Sequence, residues 1–334
     1  MDSRFPRINQ YLRHLRHPSQ FFDLDPREFF QLTKGDKREF KYFESPVKVE
    51  LAEDLTKQQL FDFPAFRNWL TALTKNLDLQ SKPDHPFQEK PFKLQKITIQ
   101  SVDRREGHIL FLKLDAMISN GSMQLPGIAF LRGGSVAVLM IIIPKESRHE
   151  RLVIMTEQSR VPAGSLVFRE IPAGMIDAEQ NFGGAAAREI LEETGLEINK
   201  AELIDMTQLA LREAKDSNEA LQKAMYPSPG GSDEFISIFL WVKVLDRLEI
   251  EGIRGRLTGK RTRGELIKLY LCDYQDLWKE GARDAKTLAA WALYESLTRS
   301  GVLQNELEAL MDSSAASLQR AVVQVAPSES GEEH

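Results

Sequence analysis

The apolar positions of the chain change period several times, and each change marks an element. Over residues 55–77, Leu60, Phe63, Phe66, Trp69, Leu70 and Leu73 recur at helical spacing, which predicts a helix with Pro64 as a kink or first-turn residue. Two strand-like runs, 96–102 and 109–114, flank the turn signal Asp103-Arg-Arg-Glu-Gly107 and predict a hairpin. A third run, 127–131, ends at Arg132-Gly133-Gly134, so a small antiparallel sheet is expected here. A second region opens with the continuous apolar run 136–143, answered by 152–155 across a charged loop. The strand expected at 166–171 runs into Pro172-Ala173-Gly174, where glycine permits a sharp turn. A helix follows, expected to start near Asn181, a good N-cap, and to stop at Gly195.

Beyond it the pattern predicts strands at 203–209, 235–244 and 267–271, with a polar segment at 212–224. It also predicts a closing helix at 284–297, carrying Leu288, Trp291, Leu293 and Leu297. Strands alternating with helices argue for an α/β fold, a mixed sheet with helices on both faces, preceded by the small antiparallel β domain. Residues 1–45 mix aromatics and charges without a clean period, and the Ser- and Glu-rich tail beyond 312 has the composition of a disordered segment. The expected organisation is a 1–50 extension of unassigned role and a 51–134 helix-plus-strand region, then a catalytic domain at 135–311 and a tail at 312–334.

Composition narrows this picture only slightly. The 334 residues suffice for one large or two medium domains, and 42% hydrophobic with 28% charged residues is ordinary globular usage. A net charge of -5 provides no basic footprint for nucleic acid, so none is expected as a partner. The longest apolar run is too short to span a bilayer, so no membrane partner is expected. Cys272 is the single cysteine, which rules out intrachain disulfides and points to a reducing, cytoplasmic setting. Arg4, Arg7, Arg13 and Arg16 resemble the start of a transit peptide, but the acidic Asp23, Asp25 and Glu28 do not continue it; organelle import is the alternative.

The helix after Gly174 changes the picture most. At about 100° per residue, Glu189, Glu192 and Glu193 share one arc, while Ala187, Ile190 and Leu191 point to the opposite, buried side. Like charges so placed repel, and a cation is needed to compensate. Hard divalent ions, Mg²⁺ above all, suit such oxygen donors and the phosphates of a substrate. A solvated acidic helix face with Arg188 pairing locally would read the same from this segment alone.

Gly174, Arg188, Glu189, Ile190, Glu192, Glu193, Gly195 and Leu196 fall in the register G-x5-E-x7-R-E-U-x-E-E-x-G-U, where U is bulky and aliphatic. The segment resembles the signature of the Nudix hydrolases, with Gln180 standing in place of the family's first glutamate. The resemblance implies a Nudix α/β/α sandwich. It implies Mg²⁺, with Mn²⁺ equally suited, held by Glu189 and Glu193 with help from Glu192 and the carbonyl of Ala173. It implies metal-assisted attack of water on a diphosphate, with Glu265 as first candidate for the base, Glu234 as second, and Glu192 also in the catalytic set. A salt bridge of Glu265 to Lys268 or Arg263 is the plain structural alternative.

Ser228-Pro-Gly-Gly-Ser-Asp-Glu234 is similar to the S-P-G-G-x-x-E segment of ADP-ribose and ADP-sugar pyrophosphatases. Likeness to the plant-type ADP-sugar enzymes extends from about Phe66 through Val302, including Glu157-Gln158-x-Arg160-Val-Pro162 and Gly264-Glu-x-Ile-Lys268. It implies an ADP-sugar substrate, contacted by Arg160, Arg132, Glu170, Ser228, Gly230, Gly231, Lys260 and Arg263, with Arg261 adding charge. It implies a homodimer paired through the N-terminal strands. A catalytically weak domain sensing nucleotide sugars is the alternative that Gln180 keeps open.

Overall fold

The computed structural model describes residues 21–24, 46–147, 149–176, 182–213, 219–259 and 266–306, and the chain divides into two compact units. The first takes in the described residues through Ser135 together with those of 215–236, and the second takes in the remainder. The segment around Ser228–Glu234, expected within the catalytic region, thus groups with the N-terminal unit.

In the first unit, strands β1 (Phe21–Leu24), β2 (Val47–Glu50), β3 (Lys93–Arg105) and β4 (His108–Ser119) lie side by side. Strands β5 (Gln124–Leu125) and β6 (Ile128–Leu131) both pair with β4. The predicted hairpin is β3–β4, closed by Glu106 (φ 52°) and Gly107 (φ 84°) as a two-residue turn with both residues left-handed. All these pairs are antiparallel except β2–β3. The exception has a cause: helices α1 (Lys57–Asp62) and α2 (Pro64–Asp78) lie between β2 and β3 and supply the crossover that a parallel pair requires.

The single helix expected at 55–77 is two. Pro64 holds the preceding residue out of helical geometry, so Phe63 is extended (φ -76°, ψ 112°) and Pro64 opens α2. Leu60, Phe61, Phe66 and Leu70 pack with Ile97, Leu112 and Leu114 in this unit's core.

The second sheet contains β7 (Gly134–Pro144), β8 (Leu152–Arg160), β9 (Ser165–Glu170), β10 (Ala173–Met175) and β11 (Ile204–Asp205), then β12 (Phe235–Leu245), β13 (Leu257–Thr258) and β14 (Ile267–Asp273). Its order is β11-β12-β7-β8-β14-β13, with β10 beside β7 and β9 beside β8. The β7–β8 register runs from Met140↔Ile154 to Ile142↔Leu152. Beyond it β8 pairs with β9 from Thr156↔Glu170 to Arg160↔Ser165, and β7 takes β10. The two central strands therefore fork, and residues 165–175 fill the fork.

Helix α3 (Phe182–Thr194) covers this sheet through Ala185, Ala186 and Ile190. Helix α4 (Met206–Glu213) follows β11, and α5 (Arg247–Ile253) adds Ile250 and Ile253 to the core that α3 covers. Alternate residues Leu139, Ile141, Val153 and Met155 are buried as well, so the sheet is covered on both faces. Helix α6 (Leu277–Glu280) and helix α7 (Ala285–Arg299), which packs with α4, complete the unit. This is the α/β architecture expected from the sequence.

Two local expectations are corrected. Residues 203–209 are strand only at Ile204–Asp205, because the Asp205 carboxylate accepts from Gln208 N (2.9 Å) and starts α4, whose Met206, Leu209 and Ala210 have helical spacing. On α3 the buried set is Ala185, Ala186, Ile190, Glu193 and Thr194, whereas Leu191 is exposed. Ala186, Ile190 and Glu193 lie at i, i+4 and i+7, so one glutamate of the acidic arc points inward.

Candidate active site

The turn Pro172-Ala173-Gly174 sits in the fork of the sheet, anchored where Val138 N donates to Pro172 O at 3.0 Å. Helix α3 packs close on that turn. A Cβ built on Gly174 would lie 2.0 Å from both Cδ and Oε2 of Glu189, so only glycine lets this carboxylate rest against the backbone. Arg188 Nη2 reaches Glu189 Oε1 at 2.9 Å and the carbonyl of Met175 at 3.3 Å. Gly195, at φ 68°, ends the helix as expected, its N–H on Leu191 O.

Glu193, 7% exposed, enters the protein beneath the helix. Its Oε2 accepts from Ala173 N (3.0 Å) and its Oε1 from Gln158 Nε2 (3.3 Å). Burial pushes its carboxyl up to about 8; the nearby charge of Glu170 adds to that rise, while the Ala173 N–H and Arg160 oppose it. The backbone carbonyl of Glu193 accepts from Thr258 Oγ1. Glu192 is half-buried on the same helix.

Arg160 and Glu170 come together on β8 and β9, with Arg160 Nε 2.6 Å from Glu170 Oε1. Burial disfavours the guanidinium charge, but Glu170 outweighs it and holds the Arg160 pKa above its ordinary value. Glu170 is 2% exposed, and its second oxygen bonds Lys286 Nζ. Both oxygens of Glu170, for which the resemblance implies a substrate contact, are engaged by cationic side chains. Lys286 also bonds Asp284 Oδ1 at 3.0 Å, and Asp284 caps α7 through Thr287 N (3.1 Å).

Arg132, Ser228, Gly230, Gly231 and Glu234, also expected at the site, lie in the first unit. Asp233 Oδ1 accepts from Arg132 N (2.7 Å) and Gly133 N (3.1 Å), with Gly133 left-handed at φ 80°. Burial raises the Asp233 pKa, and those two N–H groups resist the rise. Glu234 Oε1 pairs with Arg132 Nη1 at 3.3 Å. Ser228 O accepts from Gly231 N and Ser232 N, and Gly231 O accepts from Phe130 N at 2.8 Å. A Cβ on Gly230 or Gly231 would meet nothing within 4 Å, so this turn faces open space.

Lys260, Arg261, Arg263 and Glu265 lie outside the described residues, as do Gln180 and Asn181. Asp233, Lys286, Asp284 and Thr287 also belong to these networks, and the motif spacing gives none of them a site role. Asp284 carried a signal, an aspartate three residues ahead of Thr287 at a helix start; nothing in the spacing distinguished Lys286 from a surface lysine.

Among the described residues, no three His, Cys, Asp or Glu side chains converge into a ready-made cation cage. The donors present are nonetheless carboxylate oxygens. Glu193 is a buried acid that forms no ion pair among the described residues, the environment in which a hard divalent cation restores charge balance. The donor chemistry therefore fits Mg²⁺ or Mn²⁺.

The α/β sheet thus carries a glycine turn held under a helix of acids, whose oxygen donors suit a divalent cation. Residues 134–291 match the NUDIX domain. The chain is 37% identical over 267 residues to a protein of Arabidopsis thaliana named Nudix hydrolase 14, chloroplastic, a match covering 78% of this chain and 80% of that protein. The chain belongs to the Nudix hydrolase family.

Proposed function

We propose that the protein hydrolyses the diphosphate bond of ADP-sugars, ADP-ribose, ADP-glucose or a related ADP-hexose, to AMP and a sugar phosphate. The observation that carries the hydrolytic reading is the pair of acids on α3, Glu189 seated on Gly174 and Glu193 buried on the Ala173 N–H. The choice of an ADP-sugar is supported by Ser228-Pro-Gly-Gly-Ser-Asp-Glu234, whose two glycines face open space.

Glu189 and Glu193, with Glu192 and the Ala173 carbonyl, would hold a divalent cation. When bound, it screens the charge of a diphosphate and makes a water more acidic. Arg160 is joined to Glu170 through Nε, which leaves its two Nη groups as donors for nonbridging phosphate oxygens. Lys260 and Arg263 add positive charge from the basic loop, and Glu265 takes the proton of the attacking water. Glu234 is the alternative base, and its ion pair with Arg132 favours a role in holding that arginine.

A homodimer accompanies this reading, supported by apolar Met123, Ile128 and Phe130 exposed on the first unit; sedimentation measures it. Among the described residues no helix is long and apolar enough to cross a membrane. The single cysteine supports a cytoplasmic setting, and a fluorescent fusion of the full chain separates that from organelle import.

The deciding experiment is incubation with ADP-ribose, ADP-glucose, UDP-glucose and capped RNA, with and without Mg²⁺, following release of the nucleotide product of each: AMP from the ADP-sugars, UMP from UDP-glucose and the cap nucleotide from RNA. Mg²⁺-dependent turnover of an ADP-sugar is expected. Binding of ADP-sugars without turnover would favour a nucleotide-sugar sensor, and preferred turnover of UDP-glucose or capped RNA would overturn the substrate assignment.

A further inference from the structure

Within the second unit, a chain of charged groups runs from the start of α7 to Arg160. Asp284 Oδ2 caps the helix on Thr287 N (3.1 Å), and its Oδ1 holds Lys286 Nζ at 3.0 Å. Lys286 bonds Glu170 Oε2, and Glu170 Oε1 receives Arg160 Nε at 2.6 Å. Thr287 Oγ1 also accepts from Ile171 N at 3.1 Å, which fixes the backbone between Glu170 and the Ala173-Gly174 turn. The inner members are sequestered: the side chain of Glu170 is 3% exposed and that of Lys286 is 11% exposed, against 39% for Arg160.

The four charges balance, two acids against two bases, and the two oxygens of Glu170 are divided between two different donors. That division matters for Arg160. A buried carboxylate demands donors on both oxygens, and a guanidinium satisfies such a demand bidentately when no other cation does. With Lys286 in place, Glu170 takes only the Nε bond of Arg160. Were Lys286 absent, Oε2 would be a buried charged acceptor beside Arg160, and the guanidinium would turn to serve both oxygens. At least one Nη donor would then be diverted from the ligand, and the guanidinium would lose its orientation toward it.

We propose that Lys286 is a positioning residue: by occupying Glu170 Oε2, it keeps Arg160 bonded through Nε alone, with its Nη groups available to the diphosphate of the substrate. The inference rests on the reading of Arg160 as a phosphate contact.

The test has two arms on the full-length protein. In the first, without substrate, ¹⁵N-edited spectra follow the arginine Nε–H signals, with Arg160 assigned through Arg160→Lys. Lys286→Met should move the Arg160 signal, and Lys286→Arg should return it toward the wild-type position. An unmoved Arg160 signal in a folded Lys286→Met protein would overturn the positioning role. The second arm uses ADP-ribose with Mg²⁺. Lys286→Met should raise KM about tenfold with a smaller change in kcat, the scale of one charge-assisted hydrogen bond.

Lys286→Arg should recover most of that loss, and in an Arg160→Ala background Lys286→Met should add little. Equal effects of Lys286→Met with and without Arg160 would mean that Lys286 serves stability alone. If the wild-type protein turns over no diphosphate, the proposed activity fails, while the spectroscopic arm still decides whether Lys286 sets Arg160.

Discussion

Gly174 and Glu189 share a space that only one side chain can fill: the carboxyl carbon of Glu189 lies 2.0 Å from where a Cβ on residue 174 would be. The close approach ties the turn before α3 to the second turn of the helix itself, and the position of the carboxylate depends on it. In Gly174→Ala, Glu189 must swing away or the turn must lift, and the donors at 189 and 193 lose their common geometry. The expected result is a folded protein whose kcat for ADP-ribose falls about a hundredfold, the scale of a misplaced catalytic group. Unchanged kcat in the alanine variant would show that Glu189 has no part in the reaction.

Glu193 gives a pH signature that needs no substrate. Its folded-state pKa, about 8, lies above that of an unfolded carboxyl, so the folded protein prefers the protonated form. That stabilising contribution is complete below the ordinary carboxylate range, and it is lost as pH rises through about 8. With a chelator present, the melting temperature of wild type should therefore fall relative to Glu193→Gln between about pH 5 and about pH 9. Added Mg²⁺ should raise the wild type at the alkaline end and leave Glu193→Gln nearly unmoved, because a cation that binds only the folded state stabilises it. Parallel melting curves for the two proteins across this range would show that Glu193 is not a buried, unpaired acid. Glu193→Gln should also lose most Mg²⁺-dependent turnover.

Asp233 holds the chain at Arg132 and Gly133 by accepting both N–H groups. Asp233→Ala leaves two partly buried donors without their acceptor, at a cost of about 1–3 kcal/mol. It also releases Arg132, whose side chain is paired with Glu234. A lower denaturation midpoint together with a higher KM is expected. A change in stability with KM intact would separate Arg132 from substrate binding.

The strands were legible where one short-range rule dominated. Residues 136–143 read as a buried strand because no polar residue interrupts them, and the β3–β4 hairpin was marked by Asp103-Arg-Arg-Glu-Gly107, of which Asp103 to Arg105 continue β3 and only Glu106 and Gly107 form the left-handed turn. Phe63 and Pro64 divided a helical period that apolar spacing alone made continuous, and Asp205 converted an expected strand into a helix start. Both outcomes depend on a single side chain or ring acting on the backbone, which periodicity does not count.

The acids of the site were legible because their spacing on a helix is local. Which of them points inward was not, since the donors that Glu193 meets, Ala173 N and Gln158 Nε2, come from strands that precede the helix in the chain. Lys286 escaped for the same reason: its partner Glu170 is more than a hundred residues earlier.

The identity of the base is the remaining assignment, and two glutamates compete for it. Glu234 is paired with Arg132 at 3.3 Å and follows Asp233, which is itself fixed on the backbone of residues 132 and 133, so its carboxylate is already committed within the first unit. Glu265 lies outside the described residues, in a stretch of sequence that also carries Lys260, Arg261 and Arg263. A base acts in the transition state, so removing it lowers kcat, whereas removing a residue that holds a substrate contact raises KM. Glu265→Gln should therefore lower kcat about 10²–10⁴-fold with KM little changed, the range for loss of a general base. Glu234→Gln should mainly raise KM, as Asp233→Ala does. Steady-state kinetics on ADP-ribose reads both variants, and a pH–rate profile adds a second check, because the acidic limb should vanish only when the true base is removed. If Glu234→Gln takes that limb and the kcat with it, while Glu265→Gln affects KM alone, the two roles are reversed and the base comes from the segment that follows Ser228.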